Sequence, residues 1–362
     1  MWNYHNPVAI QAGSGSLAQL PTLLDGRRAL LITFPQAAAL GLEARIAQLL
    51  GPQLAGIENA VQPNPDVSWL APMYERVWRR HADIECIVAF GGGSVIDCAK
   101  AMLTRTPSGN FDALLAHLRD GAPLSGRDAK TLIAIPTTAG TGSEVTPWAT
   151  IWDAAAGSKY SLHQTWTWPH AAVVDAQLML SLPHDITLAS GLDALSHALE
   201  SIWNVNRNPV SASLAAAAAR SVVETLPELL RRPGDLALRE RMASAALQAG
   251  LAFSNTKTAL AHSLSYDITL HHGVAHGIAC SFSLPHVMAL AFGSDAAVDA
   301  LLLDIFGAVD EQEAIDNLSG FLERLGVSTD PAHYGIAEAW DTLVQRALQG
   351  PRGRNFIAAI HS

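Results

Sequence analysis

The sequence predicts an α/β domain with a mostly parallel sheet, followed by an all-helical domain. Three observations predict it. Short apolar runs rich in β-branched residues alternate with helical spacing through the first half of the chain. After Pro183 the strand signals fade and long helical patterns take over. The length, 362 residues, suits two domains of ordinary size. The change of texture falls near residues 176–184, and we divide the chain into 1–180 and 181–362.

Taken in order, Ala29–Phe34 reads as a buried strand and Gln36–Leu50 as the helix after it. Leu54–Val61 is a second strand, and Asp66–Ala82 has helical spacing. Ile84–Phe90 is a strong buried strand. It runs into Gly91-Gly92-Gly93-Ser94 and a helix from about Val95 to Thr106. Thr131–Ile135 is the next buried strand, ending at Pro136. Shorter strand-like runs follow at Ala149–Trp152, Tyr160–His163 and Ala171–Val174. This alternation implies βαβ units. In the second half Asp185–Trp203, Pro209–Leu230, Asp235–Leu251, Thr256–Leu270 and Val274–Ala291 read as helices. Pro209 suits a first turn, and Pro233-Gly234 marks a turn. The last 75 or so residues read as helices that close the second domain.

Composition narrows the function. Apolar residues make up 49% and charged residues 15%, which excludes a disordered or fibrous chain. The 23 Lys and Arg against 33 Asp and Glu give a net charge of −10, which argues against a binder of nucleic-acid backbones. Three cysteines, an odd number with no CxxC pair, do not make a disulfide framework. No basic and apolar leader opens the sequence. No apolar run reaches the ~20 residues of a membrane helix. We therefore expect a soluble cytoplasmic protein.

Two glycine loops follow buried strands. Gly91-Gly92-Gly93-Ser94 opens a helix, where small residues let the backbone approach a diphosphate and the helix start offers free N–H groups. Asp97 and Lys100 lie on the first turns of that helix. The second loop, Pro136-Thr137-Thr138-Ala139-Gly140-Thr141-Gly142-Ser143-Glu144-Val145-Thr146, packs hydroxyls and glycines into one turn. Two such loops at neighbouring strand ends suit a nucleotide at the sheet's C-terminal edge. Neither is G-x-G-x-x-G.

A metal-ligand pattern follows. Asp193 and His197 are four apart on a helix, so they share a face. That face is apolar otherwise, and a divalent cation satisfies a buried carboxylate and imidazole together. Downstream, His262 lies in a helical stretch and His276 opens HGIAC, with His271 and His272 close by. His262 and His276 are the best third and fourth ligands on pattern. One carboxylate and three imidazoles suit a first-row divalent metal doing Lewis-acid work.

Four blocks in order, GGGSVIDCAK (91–100), PTTAGTGSEVT (136–146), GLDALSHALE (191–200) and HSLSY…HGIAC (262–280), resemble the group III, iron-activated alcohol dehydrogenase family. The resemblance implies a dehydroquinate synthase-like fold, with an N-terminal dinucleotide-binding domain and a helical C-terminal domain. It implies Asp193, His197, His262 and His276 as ligands of Fe(II), with Zn(II) as the alternative. It implies Gly92, Gly93 and Ser94 at the pyrophosphate of NADPH or NADH, and Thr137, Thr138, Ser143 and Val145 along the nucleotide and nicotinamide. Asp97, Lys159 and Leu178 are further cofactor candidates. The reaction implied is hydride transfer to an aldehyde, giving a primary alcohol. Family members commonly form homodimers or larger homo-oligomers.

Two departures from the family pattern stand out. Many members carry a histidine four residues after the third ligand, in a proton-relay position; here it is Tyr266. Many end the first strand in Asp, placed to bind the ribose; here the strand ends Thr33-Phe34-Pro35. Without that carboxylate a 2′-phosphate meets no repulsion, so NADPH is expected to be accepted.

Ser254-Asn255-Thr256-Lys257-Thr258 lies one to two turns before His262, and its donors suit a charged oxyanion. Lys257 is the candidate anion contact, with Arg207 a weaker one. Together with WNYHNPV at the start and HGIACSFSLPH, this segment is similar to the phosphonoacetaldehyde reductase branch, which makes 2-hydroxyethylphosphonate in phosphonate biosynthesis. Three alternatives remain open: a general short-chain aldehyde reductase, a metal- and NAD-dependent cyclase of dehydroquinate synthase type, and a non-catalytic nucleotide binder.

Overall fold

The computed structural model describes residues 1–126, 128–336 and 338–360. Its strands are β1 (Ala9–Ala12), β2 (Ala29–Thr33), β3 (Leu54–Glu58), β4 (Cys86–Gly91), β5 (Thr131–Pro136), β6 (Trp148–Asp153), β7 (Ser158–His163) and β8 (Ala171–Val174). Six form one sheet in the order β1-β8-β5-β4-β2-β3, with every neighbouring pair parallel. β6 and β7 form a separate antiparallel ribbon. The expected α/β and all-helical halves are both present.

β2 and β4 are buried along their whole length. Successive side chains leave a strand on opposite faces, so each strand feeds two cores. Leu30, Ile32, Ile87, Ala89, Leu132 and Ala134 enter one core. Leu31, Val88, Phe90, Ile133 and Ile135 enter the other.

Packing divides the chain into two compact units. The sheet unit comprises Pro7–Thr138 and Ser143–Leu178. The helical unit comprises Met1–Asn6, Ala139–Gly142 and the chain from Met179 onward. It contains the helices His184–Ile202, Pro209–Arg231, Leu236–Thr256, Leu260–His272, His276–Ser281 and Leu284–Ala291, among others. Pro209 does start its helix, and Asn208 caps it through a capping box with Ser211. Among the described residues no helix is long and apolar enough to cross a membrane.

Several elements differ from expectation. Gln36–Leu50 is two helices, Gln36–Ala39 and Leu42–Leu50, because Gly41 sits between them at φ 69°. Val274–Ala291 is also two, His276–Ser281 and Leu284–Ala291, and Pro285 opens the second. The helix expected from Thr256 begins only at Leu260, because Lys257 turns the chain at φ 67°. β1 was not expected at all.

Within the sheet unit a buried charge network holds Ser143 and Glu144, at the end of the second glycine loop. Lys100 Nζ donates to the Ser143 carbonyl oxygen at 2.7 Å, Ser143 Oγ at 2.8 Å and the Trp148 carbonyl oxygen at 2.7 Å. Burial pulls the Lys100 ammonium down to about 8, against the attraction of Asp97 and Glu144. Burial pushes the Glu144 carboxyl up to about 7, although its own amide and Lys100 favour the charged form. A carboxyl raised by folding adds stability while it is protonated. That contribution is complete below the ordinary value of 4.5 and is lost as pH rises through about 7. Thermal melts should therefore show a smaller loss of stability over this interval for Glu144→Gln than for the wild type. An unchanged difference between the two ends of the interval would show that Glu144 ionises without cost.

Candidate active site

The two glycine loops leave adjacent strands at the same level. Gly91 at the end of β4 is in register with Pro136 at the end of β5, and Thr137 N donates to the Gly91 carbonyl oxygen at 3.1 Å. Gly92 caps the helix Gly93–Ala101 in extended conformation. A Cβ on Gly92 would press on the Thr138 side chain at 3.3 Å. The backbone here is thus held close and free of side-chain bulk, as a diphosphate site requires. Ser94 Oγ accepts from Asn64 N at 3.0 Å.

Asp97 does not offer a free carboxylate. Its Oδ1 accepts from Ser143 Oγ at 2.6 Å and its Oδ2 from Thr150 N at 2.8 Å. Val145 and Leu178 are buried. Lys159 lies with its ammonium 4.8 Å from the centre of the Trp152 ring. β2 ends at Thr33, whose Oγ1 donates to the Phe90 carbonyl oxygen at 2.8 Å.

The metal candidates lie in the helical unit. Asp193, His197 and Glu200 are at i, i+4 and i+7 of the helix His184–Ile202, and therefore on one face. His262 Nε2 is 3.5 Å from Asp193 Oδ1, and His197 Nε2 is 3.8 Å from the same oxygen. The His197 and His262 rings stack with centres 4.6 Å apart, and His276 meets His262 edge-on at 5.5 Å. Donor atoms of Asp193, His262, His276 and Cys280 all lie within 4.8 Å of one another.

Tautomers follow from the partners. His262 Nδ1 lies 2.6 Å from Glu200 Oε2, and a carboxylate only accepts, so Nδ1 carries the proton. His197 Nδ1 lies 3.3 Å from the Gly140 carbonyl oxygen, with the same consequence. The neutral form of either ring presents its Nε2 lone pair beside Asp193. At His262, against burial, the neighbouring Cys280, Glu200 and Asp193 favour the protonated ring, and a cation would take that proton's place. Burial holds His197 down to about 4, against the pull of Asp193, so its ring is neutral. Burial works against Asp193 as well, but the histidines packed around it, His197, His262 and His276, hold its carboxyl well below the ordinary range. A neutral imidazole and an ionised carboxylate are the states that bind a cation. Asp193 Oδ1 and His262 Nε2 are buried and have no hydrogen-bond partner among the described residues. Two buried polar atoms without partners, amid nitrogen, oxygen and sulfur donors, fit a divalent first-row metal.

Residues 7–176 match the family described as iron-containing alcohol dehydrogenase, and residues 187–361 match its C-terminal domain family. The chain belongs to the iron-containing alcohol dehydrogenases. It is 30% identical over 354 residues to an NAD-dependent methanol dehydrogenase of Bacillus methanolicus, covering 93% of this chain and 91% of that one. It is 31% identical to an NADPH-dependent butanol dehydrogenase of Clostridium saccharobutylicum, covering 93% and 88%. Among solved structures, a sulfoacetaldehyde reductase from Bifidobacterium kashiwanohense in complex with NAD+ superimposes with a TM-score of 0.90 at 29% identity, covering 98% and 94%. Iron and a nicotinamide dinucleotide are the cofactors of this family, and its reaction interconverts alcohols and aldehydes.

In this dehydrogenase, sequence reasoning passed over three residues at the site. Glu200 is fully buried and bonds both Nδ1 and the backbone N–H of His262, the latter at 3.1 Å. Cys280 sits one turn after His276, with Sγ 3.6 Å from its Nε2. The i+7 and i+4 spacings were the available signals. Arg352 stacks over the Tyr266 ring at 4.7 Å, and its Nε donates to Thr258 Oγ1 at 3.0 Å. No local pattern links it to them.

Tyr266 is one turn after His262, and burial pushes its phenol up. Lys257 is exposed and closes its helix, with its carbonyl oxygen held by Asn204 Nδ2 at 3.1 Å. Its ammonium has no partner among the described residues. Arg207 is committed to Asp295 at 2.9 Å, which removes it as a candidate anion contact.

Glu200 orients His262 and raises its basicity. Glu200→Gln is expected to lower metal affinity by about 10–100-fold, the usual scale for such a partner. A competition titration of metal-free protein with a chelator of known affinity reads this. Unchanged affinity would reduce Glu200 to a packing residue.

Proposed function

We propose that this dehydrogenase reduces phosphonoacetaldehyde to 2-hydroxyethylphosphonate with NAD(P)H. The observation that carries the reading is the 0.90 TM-score to an enzyme named for sulfoacetaldehyde, an aldehyde that bears a tetrahedral oxyanion. Two cations at Thr258 support it: Lys257 precedes that residue, and Arg352 bonds its hydroxyl. A guanidinium fork and an ammonium match a phosphonate, and a neutral alkyl chain gains nothing from either.

In this reading residues 1–180 bind the dinucleotide and 181–362 hold the metal and substrate. Asp193, His197, His262 and His276 hold the ion. When bound, the ion supplies Lewis acidity at a carbonyl oxygen and the dinucleotide supplies hydride. Glu200 keeps His262 oriented. Gly92, Gly93 and Ser94 cradle the diphosphate, and Thr137, Thr138, Ser143 and Val145 border the nucleotide. Tyr266 keeps its proton at neutral pH because it is buried, and is the group placed to deliver it to the product oxygen. The absence of a carboxylate after Thr33 supports use of NADPH. A homo-oligomer in the cytoplasm completes the proposal.

A second reading, sulfoacetaldehyde itself, follows from the same neighbour. One assay separates these. Metal-loaded protein is compared on phosphonoacetaldehyde, sulfoacetaldehyde and propionaldehyde, with each cofactor. The phosphonate is expected to lead propionaldehyde by about 10³ in kcat/KM, or ~4 kcal/mol. Lys257→Ala should cost about tenfold on the phosphonate and nothing on propionaldehyde. A lead for the sulfonate would move the assignment to it. Equal rates on all three would leave a general aldehyde reductase, and cofactor recycled without net turnover would leave a cyclase.

A further inference from the structure

The donor set contains an atom that the four-ligand assignment leaves unused. Cys280 Sγ lies 3.7 Å from His276 Nδ1 and 3.6 Å from Nε2. It is within 4.8 Å of donor atoms of Asp193 and His262 as well. The thiol is wholly buried. Beside it, Asp193 Oδ1 and His262 Nε2, each from a residue 4% exposed, point at one another across 3.5 Å with no hydrogen bond. A thiol packed only as a small apolar side chain has no need of three metal-ligating neighbours in one cluster.

We propose that Cys280 is a sulfur donor to the metal of this site, and that it biases the site toward a thiophilic ion, Zn(II) ahead of Fe(II). The inference rests on the metal reading given above. Thiolate is a softer donor than carboxylate or imidazole and favours zinc. Binding exchanges the S–H bond for a sulfur–metal bond, and the proton leaves to solvent. Asp193 and a Cys280 thiolate together carry two negative charges, which balance a divalent ion, and the histidines join as neutral ligands. His276 and Cys280 are four apart on one short helix, so one turn supplies two donors.

Cobalt(II) titration of the metal-free protein tests this. The wild type is expected to take up one Co(II) per chain and to show a near-ultraviolet thiolate-to-cobalt charge-transfer band. The chain has three cysteines, all unpaired. A Cys86→Ala/Cys98→Ala double variant should therefore keep the band, which can then arise only from Cys280. Cys280→Ser should lose the band and still bind Co(II), and its preference for Zn(II) over Fe(II) should fall by about tenfold or more. Co(II) uptake by the wild type without the band overturns the proposal and leaves the metal site standing. Survival of the band in Cys280→Ser overturns it equally. No Co(II) uptake by the wild type removes the metal reading and this inference together. The double variant gives the answer even if Cys280→Ser fails to fold.

Discussion

Removing a carboxylate from water costs several kcal/mol unless charge and hydrogen bonds replace the lost solvent. Glu200 has no exposed surface, and its replacement for water is His262. One oxygen takes the His262 amide N–H in the first turn of Leu260–His272, where unsatisfied amides favour negative charge. The other takes the Nδ1 proton. The bond that makes the buried charge tolerable therefore also fixes the tautomer that leaves Nε2 as a donor. The helix His184–Ile202 carries Asp193, His197 and Glu200, so two donors and the group that orients a third move as one body.

That arrangement needs backbones to come unusually close. A Cβ on Gly277 would run into the carbonyl oxygen of Ala189, and one on Gly140 into that of Ser190. Gly277 brings the start of the His276 helix against His184–Ile202. Gly140 brings its carbonyl within reach of His197. The alanines do the same on a larger scale, since Ala215, Ala218, Ala219, Ala245, Ala246 and Ala249 are all buried along two neighbouring long helices. Phe253 then lies flat on His197 with ring centres 4.1 Å apart. Its apolar face removes solvent from one side of the imidazole, which helps keep that ring neutral.

The sheet was readable because parallel strands buried on both faces appear as continuous apolar runs, as in ALLIT and CIVAFG. β1 was not readable. Its AIQA is an edge strand, mostly exposed, with neither alternation nor an apolar run. The breaks at Gly41 and Lys257 were hidden because helical spacing continues across them. At the site, Asp193 and His197 stood out because a carboxylate and an imidazole on an otherwise apolar helix face need a partner, and the histidines downstream made a metal the better choice of one. Glu200 and Cys280 did not stand out. A glutamate in a helix usually faces water and a cysteine usually fills a core, and only their partners from other helices give these two a different role.

The proposed substrate side depends even more on contacts distant in sequence. Thr258 is flanked by Lys257 along the chain, and Arg352 reaches it from far downstream. Arg352 has no carboxylate partner among the described residues, and the Tyr266 ring supports its guanidinium from below. Stacking on a phenol holds the planar cation without neutralising it, which leaves its remaining N–H groups for an oxyanion. Tyr266 then has two neighbours of different kinds, a cation on its ring and the metal-ligand cluster one turn back along its helix. A two-carbon aldehyde ending in an oxyanion has the same two chemical ends. In the proposed reading, discrimination by charge depends on the meeting of Thr258, Tyr266 and Arg352, which no single stretch of the sequence encodes.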